Sequence, residues 1–405
     1  MEMKRTDAAS YVGRPPLWTA SFRAVTAGNF LLFFSFYLLL PILPMYVAEA
    51  FDADKSITGM VLASYTVMAL LVRPASGYLV DTFPRKRMLL ICYTIFMLYF
   101  CGYLLAGTLV LFAVIRATHG VAFGLVTVSN STMAIDIMPA ARRGEGIGYY
   151  GVSNNLAMAI GPSLSLYIYD TLHNFDYIFL LSILSSLLGL CCVATIKAPR
   201  RDVSVVSSKI SLDRFILLKA LPETLPVIMF SFSYGMLSTY LAVYGREEVG
   251  VTSGSALFFV IMACGLIASR MAAGRMLDHG YITSSILWGM VGCLLGYAIF
   301  IELAVPAGYY VAAFVLGIGY GTICSAFQAQ FISMAPNNRR GTANSSYLTS
   351  WDLGVGLGVF VGGHIAEVTS YGVAYRWAWV VSMAGLLLFV FVVRKHYEKN
   401  RLLTT

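Results

Sequence analysis

The chain has 405 residues, of which 58% are hydrophobic and only 12% are charged. Soluble domains carry about 45–50% apolar and about 25% charged residues, so this composition excludes a soluble enzyme and a disordered protein. The net charge of +8 at pH 7 lies mostly in short loops between long apolar runs. It therefore indicates a membrane protein whose basic loops face anionic lipid, and nucleic acid is not an expected partner.

Twelve apolar runs are each long enough to cross a bilayer as a helix, which needs about 20 residues. Their length and lack of alternation favour helices over a β-barrel. We therefore predict an all-α membrane protein with twelve transmembrane helices in two six-helix bundles, residues 1–196 and 222–405, joined by a linker at 197–221. In chain order, spans 1 to 12 cover residues 24–47, 57–80, 88–107, 109–134, 147–169, 177–196, 222–245, 254–278, 284–303, 305–333, 343–368 and 373–394.

Basic residues predict the orientation of these spans. Of the 28 lysines and arginines, 22 fall on the side that holds both termini, three fall in loops on the other side, and three lie within spans. The positive-inside rule therefore predicts an integral protein of the cell membrane with both termini in the cytoplasm. The first 20 residues are polar, which is not the pattern of a signal peptide. The second part of the linker, 211–221, is amphipathic and is predicted to lie on the membrane surface.

The seven cysteines all lie in apolar runs, and no pair has CxxC spacing. This pattern is typical of packing cysteines rather than of a disulfide or metal site, so no cofactor is expected. The sequence also has no GxSxG, HExxH or GxxxxGK[ST] motif. We therefore predict neither an enzyme nor a pump driven directly by ATP.

The two halves of the chain are related by an internal repeat with a constant offset of 197 residues. Six spans per half place both halves in the same orientation, as in transporters that bind substrate between two parallel repeats. The matched positions are Arg73, Gly77, Asp81, Gly120, Gly124, Pro139, Arg142, Arg143, Gly144 and Gly161, which recur as Arg270, Gly274, Asp278, Gly317, Gly321, Pro336, Arg339, Arg340, Gly341 and Gly358.

The loop between spans 2 and 3 has the sequence GYLVDTFPRKR, beginning at Gly77. It resembles the G-x-L-a-D-r-x-G-r-k motif of the major facilitator superfamily, with Pro84 in place of the second glycine. The glycine allows close approach of another helix, and the aspartate can meet the positive N-terminal end of a neighbouring helix. The resemblance implies that the motif and its copy hold the inner helix ends together while the outer side is open. We assign this gating role to Arg73, Gly77, Asp81, Arg85, Arg87, Gly274 and Asp278.

Two further segments resemble this family. Span 4 contains RATHG at 116–120, which is similar to a pattern of proton-coupled members with His119 in place of the usual glutamine. Span 5 contains AMAIGPSLS at 157–165, which is similar to an exporter pattern that has glycines at the positions flanking its central Gly-Pro. The resemblance covers nearly the whole chain and implies transport by alternating access of the two halves.

Four ionisable side chains within spans are candidates for proton coupling, because charge inside a bilayer is expensive. Arg116 and His119 lie on a polar face of span 4. Asp352 lies about 13 Å into span 11 at 1.5 Å per residue, and the alternative for it is a static ion pair within one half. Glu223 lies near the inner end of span 7, where it could instead cap the helix.

The resemblance implies a substrate cavity lined by spans 1, 4, 7 and 10. These spans offer aromatic rings with a few hydrogen-bonding groups, which suits an amphiphilic or weakly polar ligand. The candidate substrate-binding residues are Asn29, Phe33, Tyr37, Asn130, Ser231, Tyr234 and Gln328.

The leading hypothesis is a proton-coupled exporter of an amphiphilic drug-like or metabolite-like molecule. A proton symporter that imports a sugar or organic acid is the alternative, since the same charges serve either direction. The expected partners are a small-molecule substrate, protons and membrane lipid, and the chain is expected to be a monomer.

Overall fold

The computed structural model describes residues 15–198, 212–251 and 255–402. These residues form fourteen α-helices and no β-strand. Short π-helical turns follow α8 at Gly245–Val249 and precede α14 at Phe389–Val393. The helices are α1 (Ala20–Leu39), α2 (Leu43–Phe51), α3 (Lys55–Thr82), α4 (Arg85–Leu105), α5 (Leu109–Ile137), α6 (Arg143–Leu172), α7 (Asp176–Ala194), α8 (Leu221–Tyr244), α9 (Ser255–Asp278), α10 (Ile282–Glu302), α11 (Pro306–Ser333), α12 (Arg340–Val368), α13 (Tyr371–Leu388) and α14 (Arg394–Asn400).

The predicted spans match these helices to within a few residues, with one correction in span 1. That span is two helices, since α1 ends at Leu39 and α2 begins at Leu43. Pro41 and Pro44 cause the break, because proline lacks a backbone N–H and its ring clashes with the preceding turn. The all-α, twelve-span fold class is confirmed.

Two of the twelve spans are distinctly more polar than the rest. Within the described residues, ten helical segments are long and apolar enough to cross a membrane on length and composition alone. The other two, α6 and α12, are 30 and 29 residues long, and they bury polar side chains such as Asn155 and Asn344. Large apolar side chains on the outside, such as Leu105 and Phe360, are 77% and 79% exposed. The molecule therefore has the lipid-facing surface of an integral membrane protein.

The halves of the molecule meet along two pairs of helices, α3 against α12 and α6 against α9. The 197-residue repeat relates these pairs, so each interface is a copy of the other with the halves exchanged. Glycine permits the close approach in both. A Cβ on Gly77 would lie 2.7 Å from Ser345 Cβ, and one on Gly274 would lie 2.7 Å from Glu145 Cα.

The linker is described from Leu212 onward, and residues 199–211 lie outside the described part of the chain. Its 3₁₀ turns pack on the protein, since Leu217 is buried and Asp213 pairs with Arg339 at 2.5 Å. The Arg339 guanidinium lowers the pKa of Asp213 below its usual value. The described part of the linker thus lies at the same end of the molecule as the loops at 83–84, 138–142 and 335–339. We call this end the basic end.

Candidate functional site

A cavity of about 430 Å³ lies between the two halves. Its wall is formed by α1, α3, α5 and α6 of the first half and by α8, α9, α11 and α12 of the second. Besides the four spans expected to line it, the cavity is therefore also lined by α3, α6, α9 and α12, the helices of the two inter-half contacts. Aromatic rings make up much of the wall: Phe33, Phe36, Tyr37, Tyr65, Phe123, Tyr150, Tyr234, Tyr320, Tyr347 and Trp351.

Most of the predicted substrate-binding residues line this cavity: Asn29, Phe33, Tyr37, Tyr234 and Gln328. Asn130 lies one layer behind them. Its Nδ2 donates to Asn29 Oδ1 at 3.1 Å and to the Tyr150 hydroxyl at 2.9 Å, so it orients two residues of the wall. Ser231 is outside the wall and lies where α8 contacts Gly354 of α12.

An ion pair between the halves forms part of the cavity wall. Arg73 on α3 donates through Nε to Asp352 Oδ2 on α12 at 2.6 Å, and its Nη1 donates to Thr127 Oγ1 at 3.3 Å. Arg73 is 5% exposed, and the Asp352 side chain is 26% exposed. The ion pair considered for Asp352 therefore exists, but it joins the two halves rather than lying within one.

Arg116 and His119 lie behind the cavity wall in a cluster of aromatic rings. The Tyr103 hydroxyl is 2.9 Å from His119 Nδ1 and accepts from Arg116 Nη1 at 3.2 Å. The Arg116 guanidinium carbon lies 4.0 Å from the centre of the Tyr65 ring, and this ring itself lines the cavity. Farther along the same helix, Thr127 and Ser131 line the cavity, whereas Arg116 is screened from it by a cation–π contact.

Glu223 lies at the basic end and outside the cavity wall. It is fully buried near the start of α8, and its Oε1 is 2.8 Å from Nδ1 of His396 on α14. This contact fastens the last described helix to the start of the second half.

Aspartates cap helix N-termini across both inter-half contacts. Asp81 at the end of α3 accepts from the backbone N–H groups of Gly341 at 2.9 Å and Thr342 at 2.7 Å. Its repeat copy, Asp278 at the end of α9, accepts from Gly144 at 2.6 Å and Glu145 at 3.3 Å. Carboxylates are stabilised at the positive N-terminal end of a helix, so each cap ties one half to the other at the basic end.

Arg85 extends the first of these caps into a charge network. Its guanidinium pairs with Asp81 at 3.0 Å and also with Asp136, while Arg340 of the second half pairs with the other oxygen of Asp136 at 3.0 Å. Arg87 is exposed and lies outside this network. Asp136 thus bridges an arginine of each half at the basic end.

Two charged residues of these sites, Asp136 and Arg270, were not among the predicted site residues. Asp136 sits just before the loop at 138–142, where an acid facing the basic loop motif was a usable signal. Arg270 lines the cavity from α9, and its signal was the repeat itself, because it is the copy of Arg73. Among the described residues that line the cavity, the charged ones are Arg73, Arg270 and Asp352.

Comparison with known proteins agrees with this architecture. The chain is 21% identical over 384 residues to the quinolone resistance protein NorA of Staphylococcus aureus (strain MRSA252), with 91% of this chain and 95% of that protein covered. It is 23% identical over 365 residues to the uncharacterized MFS-type transporter YfiU of Bacillus subtilis (strain 168), with 73% and 70% covered.

Solved structures share the fold. The human organic anion transporter MFSD10 (TETRAN) aligns with a TM-score of 0.78 at 14% identity, covering 93% of this chain and all of that one. The transporter FucP in its outward conformation aligns with a TM-score of 0.72 at 15% identity, covering 91% and 98%. The family described as Major Facilitator Superfamily matches residues 25–359 and 285–403. With its two six-helix halves around a central cavity, the chain is a transporter rather than an enzyme and belongs to the Major Facilitator Superfamily.

Proposed function

We propose that the chain is a proton-coupled secondary transporter that exports amphiphilic small molecules by alternating access. The observation that carries this proposal is the Arg73–Asp352 ion pair, which joins the halves at the wall of an aromatic cavity. Protonation neutralises Asp352 and removes the charge that holds Arg73. Binding of a proton to Asp352 then favours the separation of α3 from α12. Coupled transport requires such a link between protonation and conformational change.

The contacts at the basic end support the alternating-access part of the proposal. Asp81 and Asp278 tie the halves together there through backbone N–H groups, and the cavity lies on the far side of these contacts. We infer that Gly77, Gly274 and the Arg85 network hold this closed state. Opening toward the basic end requires both caps to break.

Export is the direction we favour. Its support is the printed description of the Staphylococcus aureus relative as a quinolone resistance protein, together with the aromatic wall of the cavity. With the basic end in the cytoplasm, as the basic loops predict, the described structure has its cytoplasmic side closed.

Proton movement in everted membrane vesicles tests the proposal. An acid-inside gradient is imposed and followed with a pH-sensitive dye while a quinolone, a cationic amphiphile, an aromatic carboxylate and a sugar are added separately. We expect at least one amphiphile, and not the sugar, to dissipate the gradient. Asp352→Asn abolishes this response, whereas Asp170→Asn, a matched change at an exposed aspartate of α6, retains it.

An equal response from the Asp352→Asn vesicles would contradict the coupling assignment and transfer it to Glu223 or His119. A response to the sugar, with none to the amphiphiles, would replace export of amphiphiles by nutrient transport.

A further inference from the structure

The repeat relates the two inter-half contacts, but they differ in charge where they line the cavity. Arg73 and Arg270 correspond at the 197-residue offset, and so do Asp352 and Asn155. The surrounding geometry is repeated. Gly77 and Gly274 face the starts of α12 and α6, and Asp81 and Asp278 cap those two helix starts. The first contact therefore contains a neutral pair of opposite charges, and the second contains a cation beside an amide.

Arg270 lacks the acceptor that Arg73 has. Arg73 Nε donates to Asp352, whereas Arg270 Nε is buried without a hydrogen-bond partner. No ion pair joins Arg270 to a carboxylate within the described ranges. Cys324 lines the same wall, and a thiol sulfur is only a weak acceptor.

Asn155 adds a second unused donor to the same wall. It is 7% exposed, and its Nδ2 is buried with no partner among the described residues. Gly151, one turn earlier on α6, makes room for the cation, since a Cβ there would lie 1.4 Å from Arg270 Nη1. The cavity wall thus holds an arginine that packs against Gly151, and the N–H donors at Arg270 Nε and Asn155 Nδ2 have no acceptor among the described residues.

Arg270 is half-buried at the cavity wall, and its Nε–H is buried without an acceptor among the described residues. A cation placed in this way calls for an anion, because leaving a buried donor unpaired is costly. We propose that Arg270, assisted by Asn155, binds the carboxylate of the transported molecule, while Tyr234, Tyr320 and Trp351 pack against its aromatic part. The inference rests on the proposed function and narrows its substrates to amphiphilic monoanions. The charged residues of the wall agree, since two arginines and one aspartate leave the cavity with an excess of one positive charge.

Binding to the purified protein tests this without requiring transport. The probes are 1-naphthoate, 1-naphthamide and 1-naphthylmethylammonium, which share a ring system and differ in charge, and titration calorimetry gives their affinities. Only the carboxylate accepts a charge-assisted hydrogen bond from Arg270 with its own opposite charge, so we expect it to bind at least about tenfold more tightly than the amide. Equal affinities, or no binding of the carboxylate, would overturn the proposal.

Asn155→Asp is the decisive variant, because it restores the carboxylate that the repeat has at Asp352. The new aspartate pairs with Arg270, and the preference for naphthoate over naphthamide falls below about twofold. Arg270→Gln loses the preference as well, Arg270→Lys keeps part of it, and Arg275→Gln, at an exposed arginine of the same helix, leaves it unchanged. An Asn155→Asp protein that still prefers the carboxylate tenfold would refute the site.

The two proposals fail separately. Loss of proton coupling with an intact carboxylate preference would refute the proposed function and leave the anion site standing. Coupled transport of amphiphiles with no carboxylate preference would refute the anion site and leave the proposed function standing.

Discussion

At the scale of single residues, the arginines within the membrane spans differ in what their guanidinium groups contact. Arg73 pairs with a carboxylate, Arg116 lies over the ring of Tyr65, and Arg270 packs against Gly151 with its Nε–H unpaired among the described residues. All three are arginines within spans, so sequence position alone does not separate their roles. Arg73 stands apart because, of these three arginines, it is the one that pairs with a carboxylate of the other half.

A double-mutant cycle measures this connection. Arg73→Gln and Asp352→Asn each leave a mostly buried charge without its partner, so each is expected to destabilise the protein more than the two changes together. We expect a coupling free energy of about 1–3 kcal/mol, obtained from chemical or thermal unfolding of the purified protein. The control is Arg394–Glu398, whose side chains are 51% and 48% exposed and whose coupling should stay below about 0.5 kcal/mol. Additivity at Arg73 and Asp352 within that same margin would contradict the assignment.

Glycine decides how the helices of the two halves meet. Gly77 of α3 lies against α12, whereas Gly356 of α12 has open space where a Cβ would go. Both residues lie inside helices, so changing either to alanine brings the same gain in helix propensity, about 0.8–1.0 kcal/mol. Only the first change also brings a steric cost.

Gly77→Ala is expected to weaken closure of the basic end. The added Cβ would lie 2.7 Å from Ser345 Cβ and 2.9 Å from the Gly341 carbonyl oxygen, and overpacking of this kind costs roughly 1–3 kcal/mol. Spin labels at Arg23→Cys of α1 and Arg275→Cys of α9, both exposed, report the separation of the halves at that end. We expect longer distances to become populated in Gly77→Ala, while Gly356→Ala keeps the parent distribution. Identical distributions in both variants would rule out a steric role for Gly77 in closure.

The molecule as a whole has one end rich in arginine and lysine and an opposite end poor in them. The linker, both caps and the Arg85 network all lie at the basic end. The positive-inside rule predicts that this end lies in the cytoplasm. With this end in the cytoplasm, the contacts at the basic end close the cavity on its cytoplasmic side.

Cysteine labelling in intact cells tests the orientation. In a background without the native cysteines, Gly107→Cys lies in the loop between α4 and α5 at the end opposite the basic one, with nothing within 4 Å of its Cβ position. Arg401→Cys lies exposed after α14 at the basic end. A membrane-impermeant thiol reagent should label the first in intact cells and the second only after permeabilisation. The reverse pattern would invert the topology and with it the direction of export.

Much of the fold was predictable because hydropathy, charge and repetition are local properties of the sequence. The twelve spans, the all-α class and the 197-residue repeat all followed from residues read in order. The break in span 1 was also written locally in Pro41 and Pro44, although the apolar run continues across it. Five of the seven predicted substrate-binding residues line the cavity, because helical periodicity places polar and aromatic positions on the inner face.

The sequence by itself determined that this is a membrane transporter built from two repeated halves. Only the tertiary structure decided which charges meet. Arg73 and Asp352 are 279 residues apart, and nothing local to either shows that α3 packs on α12. In the same way Arg116 is turned toward Tyr65, Asp136 joins Arg85 to Arg340, and Arg270 Nε is left without an acceptor among the described residues. These outcomes depend on packing between helices distant in sequence, and a local pattern carries no record of that packing.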